Sequence, residues 1–89
     1  MSSERIARIE AALTAALAPT ELQVRDDSHL HAGHAGARSG RGHFHLTMTS
    51  AAFTGLTPVA RHRAVYAALG TMMDTDIHAL SMTLRTPQG

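Results

Sequence analysis

Thr57–Met73 reads TPVARHRAVYAALGTMM. Thr57 can cap a helix whose first position is Pro58, where the missing N–H costs nothing and the fixed φ suits a helix. The spacing predicts a helix from Pro58 to about Met73. At 100° per residue Val59, His62, Tyr66, Leu69, Gly70 and Met73 share one face. Val65, Ala68 and Met72 form a second apolar strip with Arg61 beside it. A small domain need not bury both strips, so the second is read as a surface for a partner.

What flanks this helix alternates. Residues 77–85, IHALSMTLR, read as a strand, with His78 given the parity of Leu80, Met82 and Leu84. Upstream, residues 43–49 place Phe44, Leu46 and Met48 on one side and His43, His45, Thr47 and Thr49 on the other. Residues 50–54, SAAFT, fit one helical turn ended by Gly55. Further upstream, residues 21–25 alternate with Leu22 and Val24 facing one way. Residues 3–18 carry Ile6, Ile9, Leu13, Ala16 and Leu17 as one stripe of an amphipathic helix, stopped by Pro19. The order is helix, strand, strand, short helix, helix, strand. That is an α+β two-layer domain with helices on one face of a three-stranded mixed sheet. At 89 residues the chain (1–89) is expected to be one domain with a short tail over 86–89.

Between the first two strands, residues 28–42 read SHLHAGHAGARSGRG. The glycines predict a flexible loop, longer than an ordinary hairpin connection. It holds His29, His31 and His34, and His43 and His45 follow directly. H-x-H-x-x-H resembles a zinc-hydrolase motif only superficially, because residue 33 is Gly where a carboxylate would be needed. GARSGRG lacks the Lys and the following helix of a phosphate loop. The loop histidines are read as metal ligands, nucleic-acid contacts, or plain polar residues. His43 and His45 could chelate a metal from the sheet surface, but solvated imidazoles are the commoner case. His62, on the first stripe, is read as a core or half-buried structural residue.

Composition narrows the chemistry. There are 8 basic and 7 acidic residues, for a net charge of +1 with His neutral, and every basic residue is Arg. This is not the footprint of a dedicated nucleic-acid binder. Cysteine is absent, which excludes disulfides, thiolate nucleophiles and a self-sufficient Cys metal site. No paired carboxylates or Ser/His/Asp set appear, so no enzyme is expected. No signal-peptide or membrane-length apolar run is seen, and a cytoplasmic protein away from membranes is expected.

Four stretches, VRDDSHLHAGHAGA, GHFHLTM, AFTGLTPVARHRAVYAAL and DTDIHALSMTLRTP, together resemble the BolA family over roughly residues 4–87. The most specific parts are F-x-G, then R-H-R, one residue, and V-Y-x-A-L, with I-H-A-L before the last strand. The resemblance implies a class II KH-like fold. It implies a monothiol glutaredoxin as heterodimer partner in iron–sulfur and iron homeostasis, bridged by a [2Fe–2S] cluster shared with that glutaredoxin and glutathione. Alone, the chain is expected to be a monomer without cofactor. The resemblance makes His78 one metal ligand and gives the second to the loop, where His31 and His34 are the candidates and His29 stays open. Imidazole on one iron and thiolate on the other would be a Rieske-like set, easier to reduce than an all-Cys cluster and labile in acid. Arg61, Arg63, Val65 and Met72 are the candidate partner surface, and His62, Tyr66 and Gly70 are read as structural. Some family members are described as transcription regulators, so DNA is the rival partner. Arg38, Arg41, Arg61, Arg63 and Arg85 could then contact phosphates.

Overall fold

The computed structural model describes residues 2–27 and 42–87. Helix α1 spans Ser2–Leu17, β1 Glu21–Asp26 and β2 Gly42–Thr49. A 3-10 turn follows at Ala51–Phe53, then α2 at Pro58–Leu69, a short α3 at Met72–Thr75 and β3 at Ile77–Arg85. The sheet order is β1-β2-β3, with β1 antiparallel and β3 parallel to β2. This is the expected mixed three-stranded α+β arrangement. Among the described residues no helix is long and apolar enough to cross a membrane.

The core lies between the helices and one face of the sheet. Ile9 and Leu13 of α1, Phe44, Leu46 and Met48 of β2, Phe53, Val65 and Leu69 of α2, and Ile77 form it, with Leu22, Val24, Leu80, Met82 and Leu84 packed around them. Alternation along β1 and β2 puts these side chains on one face because successive strand residues point opposite ways.

The connections are tied by polar groups that would otherwise be orphaned. Ala18, just past α1, takes a left-handed φ of 43°, and its N–H returns to the Thr14 carbonyl at 3.1 Å. The buried Ser50 hydroxyl donates to the Leu17 carbonyl at 2.6 Å and accepts from Ala52 N at 3.1 Å. It thereby caps the C-terminal end of α1 and the start of the 3-10 turn at once. Thr57 caps α2 as expected, accepting from Ala60 N at 3.1 Å.

Two expectations need correction. The long helix does not reach Met73. It ends at Leu69, with Gly70 as cap at φ 55°, and the chain re-enters helix only at Met72–Thr75. Its faces are also reversed. Val65 is fully buried and Leu69 nearly so, whereas Val59 is 59% and Tyr66 41% exposed and His62 is exposed. The inward face of α2 is therefore Arg61, Ala64, Val65, Ala68 and Leu69, with Leu69 the one member of the first stripe that still points inward. Alanines on every side of α2 leave the stripe ambiguous to periodicity alone, and packing of the neighbouring elements decides it.

Candidate functional site

The register between β2 and β3 is irregular at one place. Gly42 pairs with Ile77, but His43 pairs with Ala79, so β3 carries one extra residue there, and that residue is His78. A bulge of this kind re-aims a side chain. Ile77 is fully buried and Leu80 packs on the core. Strict alternation could not put both residues on one face, and the inserted residue resolves the conflict. His78 is exposed as a result, not inward with Leu80, Met82 and Leu84 as its parity suggested.

The bulge brings His78 next to His43. Their ring centroids are 5.0 Å apart with the planes tilted by 47°. His43 is only 8% exposed and its Nε2 is buried, so the reading of a solvated His43 is overturned. A cavity of about 180 Å³ adjoins His43, lined also by Asp27, Phe44, Ala79 and Ser81. Arg25 grips the Asp27 carboxylate at 2.7 and 3.1 Å, and Asp27 N donates to the His43 carbonyl at 2.8 Å. His45, one step along the same face, meets the Ser81 hydroxyl at 2.7 Å through Nδ1.

The other end of the bulge is anchored at Asp76. Its carbonyl accepts from Gly42 N at 2.9 Å. Its carboxylate takes two bonds from Arg8, at 2.8 and 3.2 Å, one from Arg5 at 3.4 Å and one from the Thr75 hydroxyl at 3.0 Å. The Arg8 hydrogen bonds are the main reason the Asp76 carboxyl lies below its ordinary value, with Thr75 and Arg5 adding to the effect against a desolvation cost.

The remaining candidates fall elsewhere. His29, His31 and His34, like Arg38 and Arg41, lie outside the described residues. Val65 cannot meet a partner because it is core. Met72 is half-buried and packs on the core. Arg61 is a staple, donating to the Leu56 carbonyl at 3.1 Å and to the Leu84 carbonyl at 3.3 Å. Arg63 is exposed beside His62, which is not the core residue expected, and Tyr66 lies on that same outer face. Gly70 keeps a structural role through its positive φ, its N–H donating to the Tyr66 carbonyl at 2.9 Å. Sequence reasoning missed His43 as a neighbour of His78. The signal was present: Ile77 and Leu80, both apolar and three apart, break the two-residue period of a strand.

A small α+β domain with a paired imidazole site at the mouth of a mixed sheet is the class that the geometry defines. The family model described as BolA-like protein matches residues 13–89. Protein BOLA1, chloroplastic, of Arabidopsis thaliana is 41% identical over 86 residues, covering 93% of this chain and 54% of that protein. The DNA-binding transcriptional regulator BolA of Escherichia coli is 40% identical over 75 residues, covering 84% of this chain and 69% of that one. Among solved structures, the BolA domain of SufE1 from Arabidopsis thaliana superposes with a TM-score of 0.84 at 42% identity, covering 94% of this chain and 93% of that domain. The chain belongs to the BolA family. It spans about half the length of curated relatives such as plant BOLA1, at 54%, and human BolA-like protein 1, at 57%.

Proposed function

We propose that this chain is the nitrogen-donating half of a [2Fe–2S] centre shared with a monothiol glutaredoxin, with His78 as one ligand. The observation that carries this reading is the bulge, which turns His78 out of the core and sets it beside His43. The donor set suits the role. Among the described residues no group of three or more His, Cys, Asp or Glu stands together as a metal site. The chain has no thiolate to offer, so further ligands come from the loop and from a thiol-bearing companion. His31 or His34 supplies the second nitrogen, with His29 as the remaining candidate. A centre so held is readily reduced and is lost in acid, because protonated imidazole does not ligate. Similarity to the BolA domain of SufE1 supports a place in iron–sulfur chemistry.

The test is assembly of the cluster with a monothiol glutaredoxin and glutathione. The mixture should show visible absorbance and circular dichroism distinct from those of the glutaredoxin alone. His78→Ala should alter that spectrum while the cluster-free complex still forms. An unchanged spectrum in the variant would remove His78 from the ligand set.

The rival reading is a DNA-binding regulator. It draws on the name of the Escherichia coli relative and on the outer face of α2, where His62 and Arg63 are exposed and no acid interrupts the helix. Under it, binding to duplex DNA should weaken steeply as salt rises, and Arg63→Ala should reduce both affinity and salt slope.

A further inference from the structure

We propose that Arg8 and Asp76 are positioning residues that set the direction of the His78 imidazole. The inference rests on the reading of His78 as a ligand only for its functional consequence; the geometry stands by itself. His78 is an inserted residue, and an inserted residue can move along a strand unless both of its flanks are pinned. On its C-terminal side Ala79 is paired with His43. On its N-terminal side Ile77 is fully buried and paired with Gly42. Residue 76 is held by its carbonyl on Gly42 N, by its N–H on the Met72 carbonyl at 2.9 Å, and by its carboxylate in the Arg8 fork.

The fork is the long-range part of this anchor. Arg8 lies on α1, so the first helix is tied to the mouth of the last strand over a sequence separation of 68 residues. Two parallel N–H···O bonds fix orientation as well as distance, which a single point charge does not. Without the fork, residues 76–78 keep the backbone bonds to the end of β2 and to the four-residue α3, the burial of Ile77 and the bonds of Arg5 and Thr75 to Asp76, but lose the bidentate tie to Arg8 of α1. The bulge is then held less tightly in direction, and the two imidazoles move apart.

The experiment compares the wild type with Asp76→Asn, Arg8→Gln, the double variant and Arg8→Lys. Nuclear Overhauser contacts between the rings of His43 and His78 report the aim. Contacts across the Leu22–Met48 and Val24–Leu46 pairs report the rest of the sheet. Asp76→Asn and Arg8→Gln should each cut the ring–ring contact at least twofold and leave the β1–β2 contacts intact. The double variant should be no worse than either single one, as expected for two halves of one interaction. Arg8→Lys should recover part of the ring contact. A persistent ring contact in both single variants overturns the proposal. So does its loss together with the β1–β2 contacts, which would mark a general stability role. With glutaredoxin, Asp76→Asn should shift the cluster's dichroism in the direction His78→Ala does. If His78→Ala itself leaves the spectrum unchanged, the ligand reading fails while the ring contacts still judge the clamp.

Discussion

Replacing Val65 by alanine tests which side of α2 faces inward. Val65 has no exposed surface. Removing two methyl-sized groups there forfeits about 1.6 kcal/mol of transfer free energy, and incomplete collapse around the gap raises the loss to about 2–3 kcal/mol. A chain of 89 residues has a total stability on the order of 4–13 kcal/mol. At this size each kcal/mol moves the midpoint by about 4–8 °C, so Tm should fall by about 10–20 °C. Val59, six residues earlier on the same helix, is 59% exposed. Val59→Ala should stay within about 0.5 kcal/mol of the wild type, with the better helix propensity of alanine offsetting lost contacts. Urea titration followed by far-ultraviolet circular dichroism measures both, and the slope m should not change. If Val59→Ala costs as much as Val65→Ala, α2 is rotated and its inward face is the Val59/His62/Tyr66 stripe.

Asp76 should make the protein acid-sensitive. Its folded carboxyl lies below the ordinary 3.8, so its contribution to stability is complete above that value and disappears as pH drops through the lowered one. Melts between pH 6 and pH 3 should therefore show a steeper decline for the wild type than for Asp76→Asn, and parallel curves would contradict the assignment. Gly70→Ala meets no neighbouring atom within 4 Å, yet φ is +55° with ψ −128°, a region side chains avoid, so the loss is one of backbone conformation alone, about 1–3 kcal/mol. A urea midpoint equal to the wild type's would show that the cap tolerates a side chain.

The sheet was legible because β1 and β2 alternate cleanly and the helix start at Thr57-Pro58 has its own chemistry. The site was legible in part. The I-H-A-L resemblance picked out His78, but a two-residue period applied without interruption sent its side chain into the core. The bulge is a non-local event, set by which β2 residue each β3 residue finds; the spacing of Ile77 and Leu80 marks a break in the period but not which intervening residue is turned out. His43 was misjudged for the same reason: polar-face strand residues are solvated unless something is brought over them, and here the displaced His78 lies against it. The faces of α2 were ambiguous because Ala60, Ala64, Ala67 and Ala68 give both sides small apolar residues, leaving the choice to α1 and β3.

The parallel pairing of β2 and β3 has a consequence for biogenesis. A parallel partner needs a crossover, so β3 docks only after α2 and α3 have been made and folded back across the sheet. During synthesis α1, β1 and β2 leave the ribosome first, and His43 emerges well ahead of the residue that completes its neighbourhood. Such long-range closure is the slow part of folding. The contact between His43 and His78 can therefore form only once the chain has been made through β3, and a shorter nascent chain lacks it.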